Sequence, residues 1–193
     1  MRLAMAALTL LLSTWAFASE IEGVKLPKRV QLGAAGPELV LNGAGVRVRL
    51  IFKVYVAALY LPEKTADAEA ILRNDQPMRF TLNMLRDLSA KQINSSINDA
   101  LRETLTPAER QPLESRMTRF NTVFNAMREV SKGTRVVLDY LPSQGTSVSI
   151  NAEEKDRIPG ADFRAALLRV WLGGQPRDPE LRKALLGIEA QKN

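Results

Sequence analysis

From Gly45 to Leu61 the chain reads Gly-Val-Arg-Val-Arg-Leu-Ile-Phe-Lys-Val-Tyr-Val-Ala-Ala-Leu-Tyr-Leu and stops at Pro62. This run of β-branched and aromatic residues is the strongest strand pattern in the sequence. It is longer than one ordinary strand, so a bend or tight turn is expected near Leu50–Phe52. Upstream, short apolar stretches alternate with Pro27, Gly33, Gly36 and Pro37, which predicts strands at about 21–25 and 29–33. Glu38–Leu41 makes a further strand, ended by Asn42-Gly43. Downstream, a weak helix is expected over 66–73 and an alternating strand over Met78–Leu85.

The middle of the chain changes period. Ser89-Ala90-Lys91-Gln92 is a capping box, and the helix it opens carries Ile93, Ile97, Ala100 and Leu101 on one face toward Leu105. Thr106-Pro107-Ala108-Glu109 is a second, with Pro at the first helical position. Leu113, Met117, Phe120, Val123, Phe124 and Met127 then recur at helical spacing as far as Gly133, a stripe that reads as core. Strands return at Arg135–Leu141 and Thr146–Asn151 around a Pro/Gly turn, and Glu153-Glu154 with Asp156 reads as a solvated loop. Two helices close the chain, one with Phe163, Leu167, Val170 and Trp171, the other after Asp178-Pro179. Strands, helices, strands, helices is not a βαβ alternation. The order predicts an α+β domain, an antiparallel sheet with helices packed on one face.

Ahead of this domain, Arg2 precedes an uncharged run, Leu3 to Ala18, and Ala16-Phe17-Ala18 has a small-x-small pattern before Ser19. That is the layout of an export signal. The expectation is therefore a signal peptide over 1–18, a domain over 19–193, a periplasmic or secreted location, and no membrane-spanning segment after cleavage. The chain contains no Cys and no His among its 193 residues. Thiol nucleophiles, zinc–thiolate sites, imidazole bases and disulfides are thereby excluded, and no metal or cofactor is expected. The net charge of +6 is scattered over arginines that often stand near acids, with no basic run interleaved with aromatics. Nucleic acid is not an expected partner.

Within those limits Arg47 and Arg49 stand out. Two residues apart on a strand, they share the face opposite Val46, Val48 and Leu50. A hairpin would bring the hydroxyl of Tyr55 beside Arg47, and a guanidinium with a phenol, walled by apolar residues, can receive a carboxylate or enolate. The alternative is a pair of solvated surface arginines. Gly43-Ala44-Gly45 lacks the spacing of a phosphate loop, and reads either as freedom between two strands or as close approach by another element.

Asn42-Gly43-Ala44-Gly45-Val46-Arg47, followed by Lys53-Val54-Tyr55-Val56-Ala57-Ala58-Leu59-Tyr60-Leu61, resembles the chalcone isomerase superfamily, and most of all its small exported bacterial members. Phe163 through Gly173, with Pro176, Leu181 and Leu185-Leu186-Gly187, is similar to the family's closing helices. The resemblance implies an open-faced antiparallel sheet covered by a layer of helices, with a ligand cleft between. It also implies one of two activities: plant enzymes close a chalcone to a flavanone, and non-enzymatic relatives bind fatty acids. Both use the arginine after the Gly-x-Gly turn, here Arg47. A tyrosine at Tyr55 is similar to the binders, whereas the enzymes place a threonine there. Ile93 stands where the enzymes have a tyrosine, and Val170 where they have a hydroxyl residue.

The resemblance therefore implies a non-catalytic binder of an apolar carboxylate such as a fatty acid. Arg47 and Tyr55 would meet the ligand, Ile93 and Val170 would line the cleft, and there would be no catalytic residue. The alternatives are an isomerase acting on a chalcone-like or other enone substrate, and an interaction protein whose cleft has collapsed.

Overall fold

Seven strands pair antiparallel in the order β11-β10-β9-β6-β5-β4-β3. They are β3 (Arg29–Gln31), β4 (Glu38–Arg49), β5 (Phe52–Leu61), β6 (Met78–Met84), β9 (Arg135–Leu141), β10 (Gly145–Ile150) and β11 (Glu153–Ile158). Two smaller pairs accompany them: β1 (Phe17–Ile21) with β2 (Val24–Pro27), and β7 (Leu88–Ser89) with β8 (Glu129–Val130). The helices are α1 (Ala68–Arg73), α2 (Ala90–Thr104), α3 (Pro107–Arg110), α4 (Glu114–Asn125), α5 (Ala161–Leu172) and α6 (Pro179–Leu185). The computed structural model describes residues 17–174 and 176–188. The apolar run of the expected export signal lies mostly outside them. Cleavage after Ala18 would leave Ser19–Ile21 paired with Val24–Leu26.

Period-two alternation decides what each face of the sheet does. On β5, Ala57, Leu59 and Leu61 point into the main core, with Phe80 and Leu82 of β6 and Val136 and Leu138 of β9. The helical layer answers with Ile97 and Leu101, Phe120 and Phe124, Phe163 and Leu167, and Leu181 and Leu185. The alternate residues of β5, Val56, Ala58 and Tyr60, point the other way into a smaller cluster with Leu26, Val30 and Leu39. Ile21 and Val24 of the N-terminal hairpin pack against that cluster, so the open face is partly covered at this end. The α+β reading holds, with helices on one face of an antiparallel sheet.

Four expectations need correction. The strand at 21–25 is a hairpin, because Glu22 and Gly23 both take positive φ (50° and 77°) and turn the chain there. The Asn42-Gly43 stop is no stop: β4 runs on to Arg49. The second helical run is broken at Pro112 by a 3₁₀ turn over Gln111–Leu113, and ends at Asn125 rather than Gly133. Glu153–Ile158 is an edge strand, not a loop. Its charges are absorbed in pairs, Asp156 with Arg119 at 2.5 Å and Glu154 with Arg157 at 2.7 Å. Charged edge strands discourage further pairing, and they lack the apolar alternation that marks a strand. Both capping boxes form as read.

The glycines of β4 are explained by α6. A Cβ at Gly43 would land on the backbone carbonyls of Ala184 and Leu185, and one at Gly45 would lie 2.7 Å from the Ala184 Cβ. Of the two readings of Gly43-Ala44-Gly45, close approach by another element is the right one. The preceding Asn42 is buried and donates from Nδ2 to Leu185 O at 2.8 Å, while its Oδ1 accepts from Thr65 N at 2.8 Å. Elsewhere, Arg164 is 1% exposed and donates to the carbonyls of Ile71, Leu72 and Asn74, each at 2.9 Å, satisfying the C-terminal end of α1.

The two glycines should respond differently to alanine. Gly45→Ala is expected to cost about 1–3 kcal/mol by overpacking, and Ala184→Gly to recover part of it, because the clash is with a side chain. Gly43→Ala should cost about as much, with no recovery from Ala184→Gly, because its obstacle is backbone. Urea unfolding of the two double-mutant cycles checks this.

Candidate functional site

The β4–β5 hairpin sets Arg47 directly opposite Tyr55, with Val48 next pairing Lys53, so that Val54 is left over as a bulge. Directly opposed residues share a face, and for this pair it is the face under the helices. Arg47 and Tyr55 therefore do meet as the spacing implied. Two helices complete the arrangement. Trp171 of α5 donates from Nε1 to the Tyr55 hydroxyl oxygen at 2.8 Å, and its ring packs on Phe80 with centroids 4.5 Å apart. Asp178 caps the start of α6 by accepting from Leu181 N at 3.0 Å. Its other oxygen reaches Arg47 Nη1 at 3.0 Å and Val48 N at 3.4 Å. Arg47 Nη1 also donates to Arg177 O at 3.2 Å.

Arg47 thus already has a carboxylate neighbour, which the sequence reading did not foresee. The pairing occupies one end of the guanidinium only. No bond among the described residues uses its Nη2 or Nε, or the Tyr55 hydroxyl proton. Burial raises the Tyr55 pKa above that of an ordinary phenol. The Trp171 hydrogen bond and the Arg47 charge lower it by less, and the Asp178 charge adds to the rise. The hydroxyl consequently remains a donor across the physiological range.

These donors face a cavity of about 310 Å³ between the sheet and the helices. Leu82 and Met84 of β6 and Val136 and Leu138 of β9 form its floor. Ile93 and Ile97 of α2, Phe120 and Phe124 of α4, and Val170 and Trp171 of α5 form its roof. Ile93 and Val170 therefore line the cleft in which Arg47 and Tyr55 sit. Leu50, Phe52, Arg49 and Arg86 stand at the rim. The cavity runs across the sheet from a polar end at β4–β5 to an apolar end at β9 and α4. Beside Arg47, Tyr55, Val170 and Asp178 lies an annex of about 30 Å³, room for about one water molecule. Ser96 of α2 borders both spaces.

Three arginines line the main cavity and no Asp or Glu does. Arg49 is part of the rim, while Lys53 is not and pairs with Glu22 at 2.7 Å. Arg86 was not singled out in the sequence, because it lies beyond the end of β6 and only the fold brings it to the mouth. The Phe120/Phe124 pair was read as core, which it is, and together with Trp171 it also encloses the cavity. A second depression of about 380 Å³ lies between α2 and α3–α4 and includes Leu101, Leu105, Leu113 and Met117, bordered by Arg102, Arg110 and Glu114. Among the described residues no cluster of three Asp or Glu could hold a metal ion.

The sequence model of the chalcone isomerase-like family matches residues 18–187. Among solved structures, a fatty-acid binding protein of Arabidopsis thaliana superimposes with a TM-score of 0.68 at 15% sequence identity. The match covers 85% of this chain and 92% of that one. At that identity the likeness concerns the fold. No curated protein matches the sequence.

The chain's three tyrosines all have raised pKa values. Burial pushes Tyr60 and Tyr140 up to about 12, helped at Tyr140 by its hydrogen bond to Asp75. Unfolded phenols ionise near pH 10, so between about pH 10 and 12 the unfolded chain releases protons that the folded one keeps, and stability falls as pH rises. Ultraviolet titration should show phenolate appearing only together with loss of the far-ultraviolet circular dichroism. A tyrosine titrating normally in the folded protein would contradict this.

Proposed function

We propose that this protein, which belongs to the chalcone isomerase-like family, binds an apolar carboxylate such as a fatty acid without transforming it. The observation that carries the reading is the lining of the cavity. Apolar side chains surround most of its volume, unused hydrogen-bond donors converge at one end, and no acidic side chain faces the interior. A fatty acid has the same division, an apolar tail with a single charged acceptor. The carboxylate is received by the free edge of the Arg47 guanidinium and by the Tyr55 hydroxyl. The tail lies over Leu82 and Leu138 and under Phe120 and Phe124, where its burial supplies the affinity. The volume falls at the lower end of the range of small-molecule sites. An open cavity of this size does not suit an interaction protein with a collapsed cleft. The solved relative described as a fatty-acid binding protein supports the same reading.

Asp178 has a defined part in it. It holds Arg47 from the annex side, so that the guanidinium is positioned before the ligand arrives and less ordering is needed on binding. It also lowers the net charge met by the ligand, so that the cavity attracts a carboxylate without leaving a partly buried cation uncompensated. The layout of residues 1–18 supports an exported, periplasmic or secreted setting for this binding.

An isomerase would need the same two donors to polarise an enone carbonyl, together with a group to move the substrate's proton. Burial holds the Tyr55 proton more tightly than in an ordinary phenol, and the cavity offers no carboxylate or imidazole as base. Isothermal titration with a long-chain fatty acid tests the reading. Arg47→Ala should cost roughly 1.5–3 kcal/mol of affinity. Ile93→Trp, which fills the cavity from the roof, should abolish binding with the folded state intact by circular dichroism. A wild-type protein that carries no lipid in native mass spectrometry and binds none overturns the proposal. Turnover of a chalcone that disappears in Arg47→Ala would replace it with the isomerase.

A further inference from the structure

The turn joining β4 to β5 differs from the other tight hairpin turns of the described residues. Those turns are Glu22-Gly23, Pro142-Ser143-Gln144 and Asn151-Ala152, all polar or small. The β4–β5 turn is Leu50-Ile51, with Leu50 88% and Ile51 84% exposed, and the neighbouring Phe52 and Val48 are exposed as well. Leu50 has φ of 57°, a left-handed backbone that Asn or Gly adopts readily and a leucine rarely does. Backbone geometry thus favours another residue here, and packing does not hold this one. Arg49 precedes the turn and meets no carboxylate among the described residues, and Arg86 lies over the Phe52 ring at 4.8 Å without one either. The cavity opens between these same residues.

We propose that the β4–β5 turn is a membrane-docking tip that inserts Leu50, Ile51 and Phe52 into the surface of an anionic bilayer while Arg49 and Arg86 engage the lipid headgroups. A few apolar side chains combined with cations supply the two contributions that peripheral membrane association requires. A narrow turn suits a bilayer better than a protein, because a specific protein interface needs roughly 800 Å² from each partner. No described helix is long and apolar enough to cross a membrane, so the contact is peripheral. Docking in this orientation places the mouth of the cavity at the headgroup level, where an apolar carboxylate passes between bilayer and protein without crossing water. The docking surface stands on its own observations, and its use in loading rests on the ligand reading above.

Co-sedimentation of the mature chain with vesicles tests this, using phosphatidylglycerol mixed into phosphatidylcholine and phosphatidylcholine alone. The protein should bind the mixed vesicles and release them at high salt. Ile51→Asp should weaken that binding roughly tenfold or more, the effect of losing one inserted apolar side chain. Arg49→Gln with Arg86→Gln should weaken it roughly 30-fold, at about 1 kcal/mol per cation. Ile51 does not line the cavity, so Ile51→Asp should retain fatty-acid affinity in vesicle-free solution. Wild-type protein that ignores anionic vesicles but still binds fatty acid overturns the docking tip and leaves the ligand reading standing. Vesicle binding without fatty-acid binding does the reverse. Equal sedimentation of wild type and Ile51→Asp overturns the docking tip, as does a dimer in analytical ultracentrifugation that Ile51→Asp dissociates.

Discussion

Helix α6 lies on strand β4 with no side chain between them at Gly43, and the rest of the site follows from that contact. Asn42 fastens the helix from below by donating to Leu185 O, and Gly45 leaves room for the Ala184 methyl group. With the helix held there, its N-cap residue, Asp178, arrives beside Arg47. An arginine on a sheet would ordinarily extend into solvent, where its long stem has many rotamers. Here a cap residue of a neighbouring helix fixes one side of the guanidinium and leaves the other side turned to the cavity. The glycines thus shape the site at one remove: they set the distance of α6, and α6 sets the arginine.

The cavity itself arises where sheet and helical layer do not fill the space between them. Beyond the apolar end of the cavity the layers are packed by aromatic contacts such as Phe120 with Phe163, ring centroids 6.1 Å apart. Toward β4 and β5 the roof includes Ile93 and Val170, which line the gap. A longer or polar side chain at either place would close the gap or alter its chemistry. The polar end is held by part-buried bonds, Trp171 to Tyr55 and Arg47 to Asp178. Such an arrangement keeps its donors aimed when the site is empty, which favours tight recognition of a single anionic group.

Much of this was legible in the chain. Arg47 and Tyr55 were found because strand alternation and a short turn leave little freedom in which residues face each other. Ile93 and Val170 were placed in the cleft by resemblance alone, since a half-buried apolar residue on a helix has no local mark of lining a cavity. What remained hidden depends on contacts distant in sequence. Asp178 marks the start of the last helix in the sequence and caps it in the structure, and its second role lies 130 residues from Arg47's neighbour Val48. Arg86 joins the rim only because β6 ends beside the β4–β5 turn. Gly43 looked like a turn residue because glycine inside a strand and glycine in a turn are the same until the packing helix is seen. The edge strand β11 was missed because its alternation is between charges that pair across the surface.

The most direct measurement of the central claim is a crystal structure of the protein loaded with a saturated fatty acid brominated at its terminal carbon. The anomalous signal of bromine locates the tail without relying on the fit of a flexible chain. The account predicts bromine in the apolar end of the cavity, near Phe120, Phe124 and Leu138, with the carboxylate within hydrogen-bond distance of both Arg47 and Tyr55. Bromine in the depression between α2 and α4, or a carboxylate away from Arg47 with the Asp178 pair undisturbed, would contradict it.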